Sequence, residues 1–215
     1  MRSLLDVNNP IMRFLTAAFD LMALSALWLL FSVPIVTMGA ASTALYHAVY
    51  HHVRKGEDYL WHSFWSAFQE NFKRSTLCWL AALAVLGLLI ADAAVLRGRY
   101  LNGAAFGWLY YVILGLLALA LTWTVYLAAY AARFRGTAGE VLRFSFLLFR
   151  AHPLILLGVL VIVLGGIALA LTLPAMVIFI PGAVYLGASF PMESTFYRHM
   201  RPEDKERIEK EKKEA

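Results

Sequence analysis

The chain has 215 residues, 61% of them hydrophobic and 15% charged, with a net charge of +5 and a mean hydropathy of +0.66. Polar side chains are too few to cover that apolar surface in water, so a soluble globular domain is excluded and a bilayer is the expected solvent. The single cysteine, Cys78, excludes an internal disulfide framework and a cysteine-based metal cage. The positive charge fits Lys and Arg held near anionic headgroups and requires no nucleic acid.

At roughly 20 apolar residues per crossing, the length predicts an all-α fold: a polytopic membrane helix bundle at 1–197 with a charged tail at 198–215. Asn9 and Pro10 form a helix start signal, Asn9 as cap and Pro10 in the first turn. The first span follows at about 14–33, with no small-residue cleavage site, so it reads as retained. Asp20, near its beginning, is expected to reach headgroups or Arg13.

Pro34 disfavours helical geometry at its predecessor, so Ser32-Val33-Pro34 is either a hairpin or a kink. A hairpin gives six spans, at about 14–33, 34–53, 75–96, 105–131, 153–172 and 175–191. A kink merges the first two and gives five. With both termini inside, the six-span order puts 17 of the 19 Lys and Arg on the inner side and leaves Arg97 and Arg99 outside. The five-span order gives 15 against 4. Both place the C-terminus in the cytoplasm of a multi-pass protein of the cytoplasmic (inner) cell membrane, and six spans is the favoured count.

Residues 58–73 carry the clearest periodicity. Leu60, Trp61, Phe64, Trp65, Phe68 and Phe72 share one helical face, opposite His62, Ser66, Gln69, Glu70 and Lys73. This predicts a cytoplasmic amphipathic helix buried in the headgroup region or against the spans, with Trp61, Trp65 and Phe68 as candidate partner contacts. Beyond it, Asp92 is expected to pair with Arg97 or Arg99. Trp108, Tyr110 and Tyr111 at one end of span 105–131, and Tyr126 and Tyr130 at the other, suggest aromatic belts.

A shift of 80 residues superposes Tyr46, Ala48 and Tyr50 on Tyr126, Ala128 and Tyr130, Gly56 on Gly136, and Phe64 on Phe144. This suggests a parallel internal repeat, copy one at about 34–96 and copy two at about 105–172. Copy two carries its own amphipathic helix, opened by the capping-box pattern Thr137-x-x-Glu140 and stopped before Pro153, with Arg143 and Arg150 as further partner contacts. If a path ran between the copies, Tyr46, Tyr50, Tyr126 and Tyr130 would line it.

No phosphate loop, His-Glu-x-x-His, cysteine pair or Gly-x-Ser-x-Gly is present, and no cofactor is expected. His47 and His51 share a face at a spacing of four but lack a nearby carboxylate, so they read as interfacial histidines. No set of acid, base and nucleophile can be assembled at membrane depth, which argues against an enzyme.

Asn9-Pro10-x-x-Arg13-Phe14, then Ser32-Val-Pro34-Ile-Val-Thr37-Met-Gly39 running to Tyr46, then Ser63-Phe64-Trp65-x-Ala67-Phe68-x-x-Asn71-Phe72-Lys73, resembles the bacterial YesL family over residues 8–80. The resemblance implies a small polytopic membrane protein of unassigned molecular function, often encoded beside carbohydrate ABC transporters and polysaccharide-degrading enzymes. It supplies no catalytic residues. The expectation is an accessory or regulatory protein of oligosaccharide ABC import, contacting transporter subunits through its two amphipathic helices. The alternative is a self-sufficient small-molecule transporter or channel. A homo-oligomer is compatible with either.

Overall fold

The computed structural model describes residues 10–56, 59–102 and 106–199. Helix α1 (Pro10–Phe31) opens on Pro10 as expected, where the missing N–H leaves no intrahelical bond unmade. Its expected cap, Asn9, and the charged tail beyond residue 199 lie outside the described residues.

Pro34 makes a hairpin rather than a kink. A short 3-10 turn, Ile35–Thr37, follows it, and the Thr37 hydroxyl bonds to the carbonyls of Phe31 (2.6 Å) and Pro34 (2.8 Å), closing the reversal. Helix α2 (Met38–Ala48) then runs back along α1. Trp28 Nε1 donates to Ser42 Oγ at 2.9 Å, and further along the Asp20 carboxylate meets His52 Nε2 at 3.3 Å. Asp20 is thus tied to the returning helix. α2 continues as a π-helical turn, Val49–Arg54, and ends at Gly56, whose φ of 71° suits a residue without a Cβ.

Helix α3 (Leu60–Leu101) corrects the expected architecture. The separate amphipathic helix at 58–73 and the span at 75–96 are one continuous rod of 42 residues. At 1.5 Å per residue it is about 63 Å long, roughly twice the hydrocarbon thickness of a bilayer. The reason lies at Phe72-Lys-Arg-Ser-Thr-Leu77, which has neither Gly nor Pro and so offers the helix no reason to stop.

The second half differs by one residue type. Helix α4 (Leu109–Arg133) leads through an extended turn into α5 (Ala138–Ala151), and α6 (Pro153–Thr172) follows. Pro153 forces His152 out of helical geometry, to φ −129° and ψ 78°, and so separates α5 from α6. The capping box forms as expected: Thr137 Oγ1 accepts from Glu140 N, and Glu140 Oε2 accepts from Thr137 N at 2.9 Å. A second 3-10 turn, Pro174–Ile178, leads into α7 (Ile180–His199), which runs through Pro191 and past the expected end at 191. α7 packs back along α6 and also on α1, where Gly182 N donates to Ser25 Oγ at 2.9 Å.

All of this is arranged around α2, which is enclosed by α1, α3, α4 and α7. Every residue from Gly39 to Tyr46 is buried. Gly39 lets α3 approach so closely that an added Cβ would stand 2.3 Å from Trp79 Cβ and 2.8 Å from Ser75 O. Thr43 and Ser75 share a hydrogen bond at 3.0 Å across this contact, and Trp79 Nε1 reaches Ile35 O at 2.8 Å. Small residues and interhelical hydroxyls are what hold helices together where lipid removes the hydrophobic driving force.

The described residues are helical, with no strand among them. Three helices, α3, α4 and α6, are long and apolar enough to cross a membrane, and α1 carries a shorter apolar stretch at Leu15–Phe31. The outward faces of α3, α4 and α6 are covered with exposed Leu, Val and Ile, a surface suited to lipid.

Two local expectations fail. Asp92 is exposed and makes no ion pair with Arg97 or Arg99 among the described residues, being five and seven positions away rather than three or four. Tyr126 is buried and Tyr130 half-buried in the core rather than in an aromatic belt. At the opposite end Tyr100, Tyr110 and Tyr111 do cluster, with the Tyr111 hydroxyl donating to that of Tyr100 at 2.9 Å.

Gly39→Ala is expected to lower stability by about 1–3 kcal/mol, because its Cβ must displace α3. Gly87→Ala, on the open side of α3, is expected to be neutral or stabilising by up to about 1 kcal/mol. Thermal unfolding of the detergent-solubilised variants checks the contrast, and equal effects would contradict the α2–α3 contact.

Candidate functional site: the charged end of the bundle

Because α2 runs opposite to α1 and α3 and alongside α4 and α7, the C-terminal ends of α2, α4 and α7 meet at one end of the molecule. There the last turns of three apolar helices bring ionisable groups together. Tyr46 on α2 donates its hydroxyl hydrogen to Glu193 Oε1 at 2.9 Å, and Arg133 on α4 donates from Nη2 to Glu193 Oε2 at 2.8 Å. The side chains of Arg133 and Glu193 are only 12% and 10% exposed. One carboxylate from α7 thus joins α2 to α4 under an apolar cover, where an ion pair is poorly screened and an unpaired charge is strongly disfavoured.

Around this pair lies a collar of positive charge. The Arg133 guanidinium stands 4.3 Å from the Tyr50 ring centroid, with the Lys55 ammonium at 4.9 Å and the Arg54 guanidinium at 5.7 Å. Arg54 also donates from Nη1 to Ser189 O at 3.0 Å and covers the Phe190 ring at 4.5 Å, fastening the end of α2 to α7. Next to Tyr50, the His51 ring stacks on His47 at 4.4 Å. Among the described residues no three of His, Cys, Asp and Glu are gathered where they could hold a metal ion.

Arg74 performs the equivalent fastening between α3 and α4. Its guanidinium donates to the carbonyls of Ala131 (2.6 Å), Phe134 (2.9 Å) and Gly136 (3.4 Å), and to Asn71 Oδ1. These carbonyls lie in the last turn of α4 and in the extended turn that follows it, and a cation there also complements the helix dipole. Arg74 is therefore not the terminus of a surface helix but a cap on a neighbouring one. The nearby Arg135–Glu70 pair, at 2.7 Å, is exposed and contributes little.

The expected site residues separate into two groups. Trp61 is exposed and stacks on half-buried Trp65, and Arg143 and Arg150 are exposed on α5. Phe68 is buried under Phe31, with ring centroids 5.0 Å apart, and so offers no surface to a partner. Tyr46 and Tyr126 are fully buried, and Tyr50 and Tyr130 are half-buried. None of the four tyrosines lines the small cavity of about 80 Å³ among α2, α3 and α4, which is bounded by Ser42, Thr43, Ser75, Trp79 and Thr124 and closed by Trp28 of α1 and Tyr185 of α7.

Sequence reasoning passed over Glu193 and its pairing with Arg133. The available signal was that Glu193 is the sole acidic residue in α7.

The model of a family described as "Protein of unknown function, DUF624" matches residues 21–93, roughly a third of the chain. No curated protein and no solved structure matches. The matched segment contains α2 with its hairpin and most of α3, including Asn71 and Arg74.

Removing one partner of the buried pair, by Glu193→Gln or Arg133→Met, is expected to cost about 3 kcal/mol, since the other is left charged and buried. The double variant is expected to recover part of that loss. A double-mutant cycle on thermal unfolding measures it, and strict additivity would contradict the coupling.

Proposed function

We propose that this chain is an integral membrane accessory or regulatory protein, associated with carbohydrate ABC import, that works by protein contact at the charged end of its bundle. The family reading rests on the resemblance to YesL over residues 8–80, which overlaps the matched 21–93; YesL-like proteins carry this family's model. We place six crossings in the chain, with α2 and its π turn as the second and α7 as the last, and the charged end in the cytoplasm. The hairpin at Pro34 favours this count, since α2 extended to Arg54 has 17 residues, about 25 Å of rise. The charged end gathers Arg54, Lys55, Arg74, Arg133 and Arg135, in keeping with the positive-inside rule. Tyr46 and Tyr126, 80 residues apart and both fully buried, support the parallel repeat.

The observation that carries the contact reading is how the charged end of the seam between the two halves is filled. Tyr46, Tyr126 and the Arg133–Glu193 pair occupy the region a conducting path between the repeats would need. Exposed charge and aromatic surface, by contrast, stand at Trp61, Arg143 and Arg150. An accessory protein needs such a surface and no path.

Charge reversal at both Arg143 and Arg150 is expected to release a transporter subunit that copurifies with the wild-type chain. Unchanged recovery in the pull-down would remove the docking role. Liposomes holding only this protein are expected to take up no labelled oligosaccharide, whereas uptake above the protein-free background would favour a self-sufficient transporter.

A further inference from the structure

We propose that the cavity of about 80 Å³ inside the bundle is a binding site for a small neutral polyol. Five helices wall it, with Trp28 of α1, Ser42 of α2, Ser75 and Trp79 of α3, Thr124 of α4 and Tyr185 of α7. It lies beside Gly39, where α2 and α3 meet with no room for a Cβ. Protein interiors pack as densely as organic crystals and keep few voids larger than a water molecule, so a gap next to so tight a contact calls for an occupant.

The volume sets the size of that occupant. An engineered apolar cavity of about 150 Å³ stays dry and takes up benzene, and roughly half that space admits about three or four non-hydrogen atoms. The lining residues are buried except Trp28, Met38 and Thr124, which are half-buried. These three mark the side, between α1, α2 and α4, on which the cavity reaches the surface. A short chain can enter there and leave its remainder in the mouth.

The wall selects neutral molecules rich in hydrogen-bond donors. Among the described residues that line the cavity there is no Asp, Glu, Lys, Arg or His, so an ion would give up its hydration without meeting a counter-charge. Thr43 spends its one proton on Gly39 O at 3.0 Å; Ser75 therefore donates in the bond the two share, also 3.0 Å, and keeps its own lone pairs. Thr124 donates to Leu121 O at 2.7 Å and likewise keeps its lone pairs. Ser42 Oγ accepts from Trp28 Nε1, and Trp79 Nε1 is committed to Ile35 O, so neither indole N–H is left for a ligand. The wall thus offers more acceptors than donors. A polyol brings the missing hydroxyl hydrogens, and its CH groups suit the aromatic rings of Trp28, Trp79 and Tyr185. The assignment concerns the interior of the bundle and is independent of the docking role at Arg143 and Arg150.

Saturation-transfer NMR on the full chain, held in a detergent without sugar headgroups and titrated with 1,2-ethanediol, tests the site. The wild type is expected to show saturable, millimolar binding. Thr124→Val removes an acceptor while keeping the side-chain shape, and is expected to weaken that binding about fivefold. Ala128→Leu grows into the cavity and is expected to abolish it. Thr172→Val, exposed on α6, leaves it unchanged. Circular dichroism verifies the fold of each variant, and should Ala128→Leu not fold, Thr124→Val decides alone. Ethanolamine, with an ammonium in place of one hydroxyl, is expected to show no saturable binding; ethanolamine bound as tightly as the diol, or instead of it, overturns the neutral assignment. Absence of saturation with 1,2-ethanediol, or an affinity that the folded cavity variants leave unchanged, overturns the proposal as a whole.

Discussion

The close approach of α3 to α2 at Gly39 is the constraint on which the rest of the structure depends. With hydrogen where any other residue has a Cβ, the backbone of α2 meets Trp79 and Ser75 directly. That contact makes room for α1, α4 and α7 to close around α2 as well. Burying one helix on every side demands side chains that are small or internally satisfied. Gly39-Ala-Ala-Ser-Thr-Ala44 meets that demand, with Ser42 bonded to Trp28 and Thr43 to Ser75. The large residues that follow, Leu45 and Tyr46, then fill the wider space toward the charged end.

At that end the packing problem changes from volume to charge. The chain fastens this end with arginines: Arg74 caps the carbonyls where α4 ends, Arg54 holds the end of α2 to α7, and Arg133 meets the lone carboxylate of α7. A buried ion pair is weak evidence for net stability, but it discriminates strongly against arrangements that would leave either member alone. The Tyr46–Glu193–Arg133 contact therefore fixes the register of three helices whose apolar faces alone would allow sliding.

Much of the fold was legible in the residues, and its limits are instructive. Composition and period identified an all-helical chain with membrane-spanning character, the capping box at Thr137 and the stop before Pro153. The amphipathic pattern at 60–72 correctly marked one apolar face, with Phe64 and Phe68 buried against Phe31. It did not reveal that the helix continues, because periodicity reports which face is buried and not where a helix ends; the missing breaker at 72–77 was the better signal. The site was less legible than the fold. Contacts such as Asp20–His52 and Arg133–Glu193 join positions 32 and 60 residues apart, and nothing local in the sequence assigns such partners.

A molecule built in this way has a tightly packed interior broken by a small cavity of about 80 Å³, and a charged, fastened end. The hairpin at Pro34 is the step on which this arrangement turns, since it alone brings α2 back into the bundle. It is tested most directly in intact membranes with a chain carrying Asp20→Cys and His52→Cys, with Cys78→Ser as background, treated with a short bifunctional thiol reagent. The account predicts an intramolecular link between positions 20 and 52, identified by mass spectrometry of the joined peptides. A single bent helix through Pro34 would hold these positions up to about 48 Å apart, and the absence of that link, with both thiols shown to be reactive, would contradict the structure at its centre.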